Sequence, residues 1–362
     1  MSIDTEHEAY LILSNGQVFA GRSFGASGSV TGEVVFTTGM TGYLETLTDQ
    51  SYYGQIVTQT FPLIGNYGVI PDDFESQSVG PKAYIVRHPC ADPSNFRSVG
   101  TLDAFLKERG IIGLYGIDTR ELTRIIRSQG VMNGTITNQP PTEADRLKAL
   151  DYTITNAVAA VSSRQVTVVG ASTGDSPARY RVALLDYGAK RGISEALAAR
   201  GCEVWCFPHD SSAADILAIK PDGIMLSNGP GDPSETANTG VIATIRELML
   251  GDVPVFGICL GHQLMALAQG LTTVKLKFGH RGANQPVKDI STGRVYITSQ
   301  NHGYAVVSNN SSFINVNDGT CEGMEYGRCF SVQFHPEARG GPLDTAFLFD
   351  RFIQRMEKHA AG

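Results

Sequence analysis

The chain has 362 residues and an ordinary apolar content, enough for two domains that each bury a core. A formal net charge of −7 argues against a nucleic-acid-binding surface, and no phosphate loop of the Gly-x-x-x-x-Gly-Lys-Ser/Thr kind is present. The six cysteines form no Cys-x-x-Cys pair, so we expect reduced thiols and no metal site. No stretch is apolar enough to cross a bilayer, and the acidic start lacks signal-peptide features. We therefore expect a cytoplasmic protein without membrane contact.

The first part of the chain, residues 8–140, carries mostly strand signals. Ser14-Asn15-Gly16 predicts a hairpin turn, and Thr119 suits the N-cap of a helix that Gly130 follows. The predicted strands are 9–13, 17–20, 33–36, 55–58, 83–86 and 111–115, and the predicted helices are 101–109 and 119–128. These elements predict a smaller, strand-rich α+β domain over residues 1–150.

A connection follows this domain. Pro140 and Pro141 open a short predicted helix that ends near Leu150, and residues 170–177 are polar and rich in glycine. The composition predicts a linker over residues 151–179 with little core of its own.

Residues 180–362 alternate between strand and helix patterns. Predicted strands at 181–185, 203–207, 223–226 and 255–258 alternate with predicted helices at 191–200, 213–219 and 241–250. This alternation predicts an α/β domain with a doubly wound, mostly parallel, flavodoxin-like sheet. Hairpin-like strands follow at 295–298, 305–307, 324–326 and 330–334, and a last helix is predicted at 343–358.

Residues 253–270 change from a strand pattern to a helix pattern at Gly257-Ile258-Cys259-Leu260-Gly261. This spacing is typical of the sharp elbow that presents a nucleophile, here with Cys in place of Ser. The helix N-terminus favours a thiolate, and the N–H of Leu260 is a candidate donor to the charge that develops on an attacked carbonyl. The alternative is a buried structural cysteine, but two glycines at a strand-to-helix change favour a nucleophile.

A cysteine nucleophile needs a base, and His335 is the best candidate among the eight histidines. It follows an apolar strand, and Glu337 lies two positions on, on the same side of an extended chain. Glu337 is therefore a candidate to orient the His335 ring, as in a catalytic triad. We expect His262 to lie in packing or solvent and His302 to be structural or loop-orienting.

The loop from Ser227 to Pro233 holds two glycines and two prolines in seven residues, directly after a predicted strand. A surface turn is the simplest interpretation of such a loop. Its backbone N–H groups also suit an anion-binding nest or half of an oxyanion hole, with Gly231 as the best donor.

The motifs GICLGHQ at 257–263 and His335-Pro336-Glu337 resemble the class I, or triad, glutamine amidotransferases. The rest of the chain resembles one branch of that family, the small subunits of carbamoyl phosphate synthetase. The segments that carry this likeness are VFTTGMTGY at 35–43, LTDQSY at 47–52, IDTRELTR at 117–124, LSNGPGDP at 226–233, KFGHRGAN at 277–284 and NHGYA at 301–305.

The resemblance implies a role for each matching residue. Cys259 is the nucleophile, His335 the acid and base, and Glu337 its partner, while Leu260 and Gly231 supply the oxyanion N–H groups. The residues implied to hold the amino-acid end of glutamine are Ser51, Gly229, Gln263, Asn301, Gly303 and Tyr304. Because the nucleophile position is Cys rather than Ser, we expect an active enzyme.

The resemblance also implies a division of labour between chains. This chain would hydrolyse glutamine to glutamate and ammonia. The ammonia would pass to a large subunit that uses ATP and Mg²⁺ to make carbamoyl phosphate from bicarbonate, for arginine or pyrimidine synthesis. The chain itself shows no ATP-binding motif, so we expect it to bind no cofactor and to meet the large subunit mainly through its N-terminal domain. The alternatives are a glutaminase for another synthetase, a free-standing cysteine hydrolase, and a non-catalytic scaffolding subunit.

Overall fold

The computed structural model describes residues 7–170 and 178–360, and the chain divides into two compact units, Met1–Ile154 and Thr155–Gly362. This division lies four residues beyond the end of the predicted N-terminal domain. Within the described ranges, no helix is both long and apolar enough to cross a membrane.

The first unit is built on a closed barrel of seven strands in the order β1-β2-β8-β6-β4-β3-β9. The strands of the unit are β1 Glu8–Leu13, β2 Val18–Gly25, β3 Ser29–Thr37, β4 Gln55–Gln59, β5 Leu63–Ile64, β6 Ala83–Val86, β7 His88–Pro89, β8 Ile112–Tyr115 and β9 Met132–Thr137. The predicted strands were therefore present, but sequence patterns did not indicate that they close on themselves, because closure depends on which strands pair.

The helices of the first unit are α1 Tyr43–Thr48, α2 Leu102–Glu108, α3 Thr119–Gln129 and α4 Glu143–Asp151. Helix α3 buries Leu122, Ile125 and Ile126, the apolar stripe that its sequence predicts. Its N-cap is Asp118, whose side chain accepts a hydrogen bond from the N–H of Glu121, so the prediction of Thr119 as the cap was wrong by one residue.

The second unit contains six α-helices and ten strands among the described residues. The strands are β10 Thr167–Val169, β11 Tyr180–Asp186, β12 Cys202–Pro208, β13 Gly223–Leu226, β14 Val255–Ile258, β15 Thr272–Asp289, β16 Val295–Val307, β17 Phe313–Asn315, β18 Cys321–Tyr326 and β19 Cys329–Val332. The helices are α5 Ala157–Val161, α6 Arg191–Ala198, α7 Ala213–Ala218, α8 Thr239–Leu250, α9 Leu260–Ala268 and α10 Phe347–Ala360.

Five of these strands form the predicted parallel sheet, in the order β12-β11-β13-β14-β19. This is the flavodoxin-like order, and both faces of the sheet are covered. In β11, Val182 and Leu184 pack into the core on one face, while Ala183 and Leu185 pack into the core on the other. Full burial of each leucine side chain contributes about 1.5–3 kcal/mol relative to exposure.

The predicted linker at 151–179 needs correction. Within it, α5 buries Ala157 and Val158, and β10 pairs with β12 at the edge of the sheet, so residues 157–169 belong to the second unit. The glycine-rich part at 171–177 lies outside the described residues.

The predicted hairpin strands at 295–298 and 305–307 are parts of one long strand, β16, which pairs with the unpredicted strand β15. Strand β15 was missed because it is rich in polar residues and glycine. Its register against β16 also shifts twice, between Lys275 and His280 and between Gly282 and Gln285, which breaks the simple alternation of faces.

Candidate active site

The elbow between β14 and α9 consists of a single residue, Cys259. Its backbone has φ 53° and ψ −102°, a region that residues with a Cβ atom rarely adopt. Two hydrogen bonds hold it there: the N–H of Cys259 donates to Val332 O at 2.9 Å, and the N–H of Gly261 donates to Ser227 O at 3.0 Å. The strand-to-helix elbow that the sequence predicts is therefore present, and the surrounding backbone imposes its strained conformation.

The two glycines of the elbow are required by close packing. A Cβ atom at position 257 would lie 2.6 Å from Met265 Sδ, and one at position 261 would lie 2.4 Å from Leu226 O. Real Cβ atoms do not approach other atoms this closely, so α9 packs against β13 and β14 only because both positions lack a side chain.

The Cys259 side chain is 2% exposed, and its thiol donates to Asn301 O at a distance of 3.7 Å. Two backbone N–H groups, that of Leu260 next to Cys259 and that of Gly231 in the loop after β13, have no acceptor in the part of the chain that the structure describes. Leu260 is the first residue of α9, where N–H groups have no partner within the helix. Both are the groups that the sequence analysis predicted as oxyanion donors.

His335 and Glu337 form a fully buried pair. His335 Nδ1 lies 2.6 Å from Glu337 Oε1, and both side chains are 0% exposed. Because a carboxylate only accepts, Nδ1 carries the proton and donates it, which leaves the lone pair on His335 Nε2. No other described group forms a hydrogen bond to Nε2, so this tautomer is suited to accept a proton.

The charge state of Glu337 is set by its neighbours. Burial alone would raise the pKa of this carboxyl group, but the His335 ring and the Lys190 ammonium, whose Nζ lies 3.9 Å from Glu337 Oε1, lower it overall. Lys190 was missed in the sequence analysis. It precedes α6, far from Glu337 in the chain, and no local pattern indicates that the two meet.

A turn, and not an extended segment of chain, brings His335 and Glu337 into contact. The N–H of Ala338 donates to His335 O at 3.3 Å, which closes a turn around Pro336 and Glu337. The predicted contact between His335 and Glu337 is therefore present, although the geometric reason given for it was wrong.

Neighbouring parallel strands place the thiol and the imidazole at one edge of the sheet. Ile258, the last residue of β14, pairs with Val332, the last residue of β19. Cys259 follows the first strand directly, and His335 follows the second by three residues. The carboxyl ends of parallel strands are the usual location of ligand sites in such sheets.

Several predicted substrate-binding residues are connected to the same elbow. Gln263, on the first turns of α9, donates from Nε2 to Tyr304 O and to Gln333 Oε1, each at 2.9 Å. Asn301, Gly303 and Tyr304 lie on β16. Gly229 follows β13, and a Cβ atom there would lie 2.8 Å from a methyl group of Leu260. Ser51 lies in the first unit, in a 3₁₀ helix at Gln50–Tyr52, where its N–H donates to Asp49 Oδ1.

Two further histidines of this unit are buried. His262 Nδ1 lies 2.8 Å from Ser331 Oγ, and burial lowers the pKa of its ring to about 3. His302 Nδ1 lies 2.7 Å from Tyr304 O, and burial, together with the neighbouring His280, holds the pKa of His302 well below its usual value. Of the expected alternatives, His262 is packed and not exposed to solvent, and His302 is a buried residue of strand β16 and not part of a loop.

Comparisons with known proteins cover both units. A family model described as carbamoyl-phosphate synthase small chain, CPSase domain, matches residues 11–136, and one described as glutamine amidotransferase class-I matches residues 183–355. The pyrimidine-specific carbamoyl phosphate synthase small chain of Bacillus subtilis is 50% identical over 356 residues, covering 96% of this chain and 95% of its own length. The chain belongs to the carbamoyl phosphate synthase small chain family.

Another member of the family, the carbamoyl phosphate synthase small chain of Fusobacterium nucleatum, is 48% identical over 363 residues and covers 96% of this chain and 98% of its own length. Among solved structures, a glutamine amidotransferase from Thermotoga maritima is similar at 16% identity with a TM-score of 0.38, over 51% of this chain and 86% of that one. The family models and the two small-chain relatives confirm the predicted resemblance to carbamoyl phosphate synthase small chains. The second unit carries the class I glutamine amidotransferase domain that the elbow motif predicts.

Proposed function

We propose that the chain hydrolyses glutamine to glutamate and ammonia, with Cys259 as the nucleophile, as the small subunit of a carbamoyl phosphate synthase. The observation that carries the proposal is the geometry at one edge of the sheet, where a strained cysteine elbow adjoins a buried His335–Glu337 pair. Membership of the small chain family, over nearly the full length of its relatives, supports the same function.

The proposed chemistry uses only groups of this chain. His335 Nε2 takes the proton of the Cys259 thiol, and the sulfur attacks the side-chain amide carbon of glutamine. The N–H groups of Leu260 and Gly231 stabilise the oxyanion, and the imidazolium returns its proton to the leaving nitrogen, which departs as ammonia. Water then attacks the thioester, with His335 again as the base, and releases glutamate and the free thiol.

Glu337 makes this cycle possible by its charge. A deprotonated carboxylate holds Nδ1–H in place and stabilises the imidazolium that forms when Nε2 takes a proton. The neighbouring Lys190 favours the charged form of Glu337, so the acceptor is present throughout the cycle.

The predicted binding residues would hold the amino and carboxylate groups of glutamine. Asn301 O accepts from the Cys259 thiol, and Gln263 donates from its N–H to Cys259 O and from Nε2 to Tyr304 O, so substrate that contacts these residues lies close to the sulfur. The proposed set also includes Gly229, Gly303 and Ser51, as the resemblance implies.

The ammonia is proposed to pass to a large subunit that uses ATP and Mg²⁺. Neutral ammonia is the reactive species, and water would protonate it, so transfer within a complex protects it. The first unit has exposed apolar side chains that suit a partner surface: Phe96 is 97% exposed and Val99, in the same loop, is 72% exposed. We expect the complex to act in the cytoplasm, since all six cysteines are free thiols.

The experiment uses the chain assembled with the large subunit of its own cell. Carbamoyl phosphate synthesis is measured twice, with glutamine and with ammonium as the nitrogen source. Cys259→Ala is expected to abolish glutamine-dependent synthesis and to leave ammonium-dependent synthesis unchanged, because the second reaction bypasses the elbow. Cys206→Ala, which removes a half-buried thiol elsewhere in the unit, is the matched control and should leave both rates unchanged.

Full glutamine-dependent synthesis by Cys259→Ala would overturn the nucleophile assignment. Recovery of the chain with a different ATP-using enzyme, without carbamoyl phosphate synthesis, would instead favour a glutaminase unit of another synthetase.

A further inference from the structure

A second buried polar cluster lies on three neighbouring strands of the second unit. His280 on β15, His302 on β16 and Glu322 on β18 are 8%, 5% and 0% exposed. His280 pairs with His302 in the register of β15 and β16. One candidate ligand atom from each of the three residues lies within 4.8 Å of the others.

The outer hydrogen bonds of the two histidines determine where their lone pairs lie. His302 Nδ1 is 2.7 Å from Tyr304 O, and His280 Nε2 is 2.8 Å from Asp318 Oδ2. A carbonyl oxygen and a carboxylate both only accept, so these nitrogens carry the protons. Each neutral ring therefore directs its other nitrogen, His302 Nε2 or His280 Nδ1, into the cluster. Histidines that bind metals are held in the same way, with the outer N–H on a carbonyl or a carboxylate.

Acceptors face these two lone pairs. His302 Nε2 lies 3.1 Å from Gln300 Oε1, and the opposite end of that amide donates to Glu322 Oε2 at 3.0 Å. Among the described residues, His280 Nδ1 has no hydrogen-bond partner, and it lies 3.4 Å from Glu322 Oε1. Two acceptors repel each other at such distances unless a positive charge lies between them.

These separations match the coordination geometry of zinc. Tetrahedral Zn²⁺ binds nitrogen and oxygen at about 2.0–2.1 Å, which places neighbouring ligand atoms about 3.3 Å apart. The pairs at 3.1 Å and 3.4 Å already have this spacing, and the candidate atoms of His280, His302 and Glu322 all lie within 4.8 Å of one another. The charge also balances, because Zn²⁺ would neutralise the carboxylates of Glu322 and Asp318.

We propose that His280 Nδ1, His302 Nε2, Glu322 Oε1 and Gln300 Oε1 form a structural Zn²⁺ site. Four protein donors leave no open position for water or substrate, so the ion would stabilise the fold and would not take part in hydrolysis. Zinc-motif spacing did not reveal the site, because its ligands come from three strands and His280, His302 and Glu322 lie about twenty residues apart in the chain.

The site would also hold part of the proposed glutamine site, and this consequence rests on the proposed function. Gln300 and His302 flank Asn301, whose carbonyl accepts from the Cys259 thiol. Zinc bound to both neighbours would fix the position of Asn301 on β16.

The test measures metal binding directly. The full chain is purified without chelators, its zinc content is determined by mass spectrometry, and the stripped chain is then titrated with Co²⁺. We expect one Zn²⁺ per chain and the intense visible absorption of tetrahedral Co²⁺. Glu322→Gln should abolish the absorption, and Asp318→Asn, at a half-exposed position, should weaken Co²⁺ binding by about 10–100-fold.

Two control variants separate this proposal from others. His88→Asn, which removes an exposed histidine of the first unit, should leave Co²⁺ binding unchanged. Cys259→Ala should keep the tetrahedral absorption, whether or not it loses glutamine hydrolysis, so the two proposals fail independently. A folded wild-type chain that holds no zinc and gives no tetrahedral Co²⁺ spectrum would overturn the site and assign a proton to His280 in place of the ion. A spectrum that persists in both Glu322→Gln and Asp318→Asn would also overturn it.

Discussion

The strain at Cys259 leads to a prediction about stability that does not depend on catalysis. Cys259→Ala and Cys259→Gly both remove the thiol, but only the glycine variant also removes the Cβ atom. At φ 53° and ψ −102° the Cβ atom is the source of the strain. We therefore expect Cys259→Gly to be more stable than Cys259→Ala, the reverse of the usual effect of glycine.

The magnitude follows from two opposing terms. A residue with a Cβ atom in a sparsely populated backbone region costs about 1–3 kcal/mol. Glycine loses about 0.5–1 kcal/mol more conformational entropy on folding than alanine. The difference between these two ranges is about 0–2.5 kcal/mol, and we expect its centre, a net gain of about 1 kcal/mol in the free energy of unfolding for glycine over alanine. In a unit the size of Thr155–Gly362, this corresponds to a rise in the unfolding midpoint of about 2–4 °C.

The assay is thermal and urea unfolding of the two variants under identical conditions. Ala243→Gly is the matched control, because Ala243 is exposed within α8 and has ordinary helical geometry. There the same change from alanine to glycine should lower the free energy of unfolding by about 1 kcal/mol. Equal stability of the two Cys259 variants, or a loss with glycine as large as in the control, would refute the claim that the elbow is strained.

Three further predictions concern the same unit. Glu337→Gln should lower kcat for glutamine hydrolysis by roughly 10³–10⁴-fold with little change in KM, because the neutral amide does not stabilise an imidazolium at His335. A loss of kcat below about tenfold would contradict this role of Glu337. Gly261→Ala should lower the free energy of unfolding by at least about 1–3 kcal/mol, because the new Cβ atom clashes with the neighbouring strand. Gly240→Ala, with open space around it in α8, should instead raise the free energy of unfolding by about 0.5–1 kcal/mol. Equal urea midpoints for the two variants would contradict the packing argument. Because burial lowers the pKa of His262 to about 3, the unfolded chain binds this proton more tightly, and stability should fall as the pH drops below 6.5. Between pH 7 and 5 the wild type should lose about 2 kcal/mol more than His262→Asn, and parallel pH profiles would contradict this assignment.

The Cys259 elbow could be predicted because its geometry depends on five consecutive residues. Gly257 and Gly261 are needed wherever a strand turns so sharply into a helix, and Cys259 is the only reactive side chain between them. The contact between His335 and Glu337 could also be predicted, because two residues so close in sequence can make contact without depending on the rest of the fold. The alternation of strand and helix patterns likewise indicated the parallel sheet.

Other features depend on pairing between distant segments. Lys190 lies beside Glu337 only because β11 and β19 belong to the same sheet. Strand β15 has no clean alternation, and only its partner β16 gives it an extended form. Closure of the first unit's barrel is likewise decided by which strands become neighbours.

The sequence by itself thus determined the Cys259 elbow, the contact between His335 and Glu337 and the class of the second unit, because each depends on local backbone geometry or on a repeating pattern. Only the tertiary structure decided the ionic neighbour of Glu337 and the buried cluster of His280, His302 and Glu322. The physical reason is that burial and charge pairing arise from long-range contacts, and the spacing of these residues along the chain carries no trace of them.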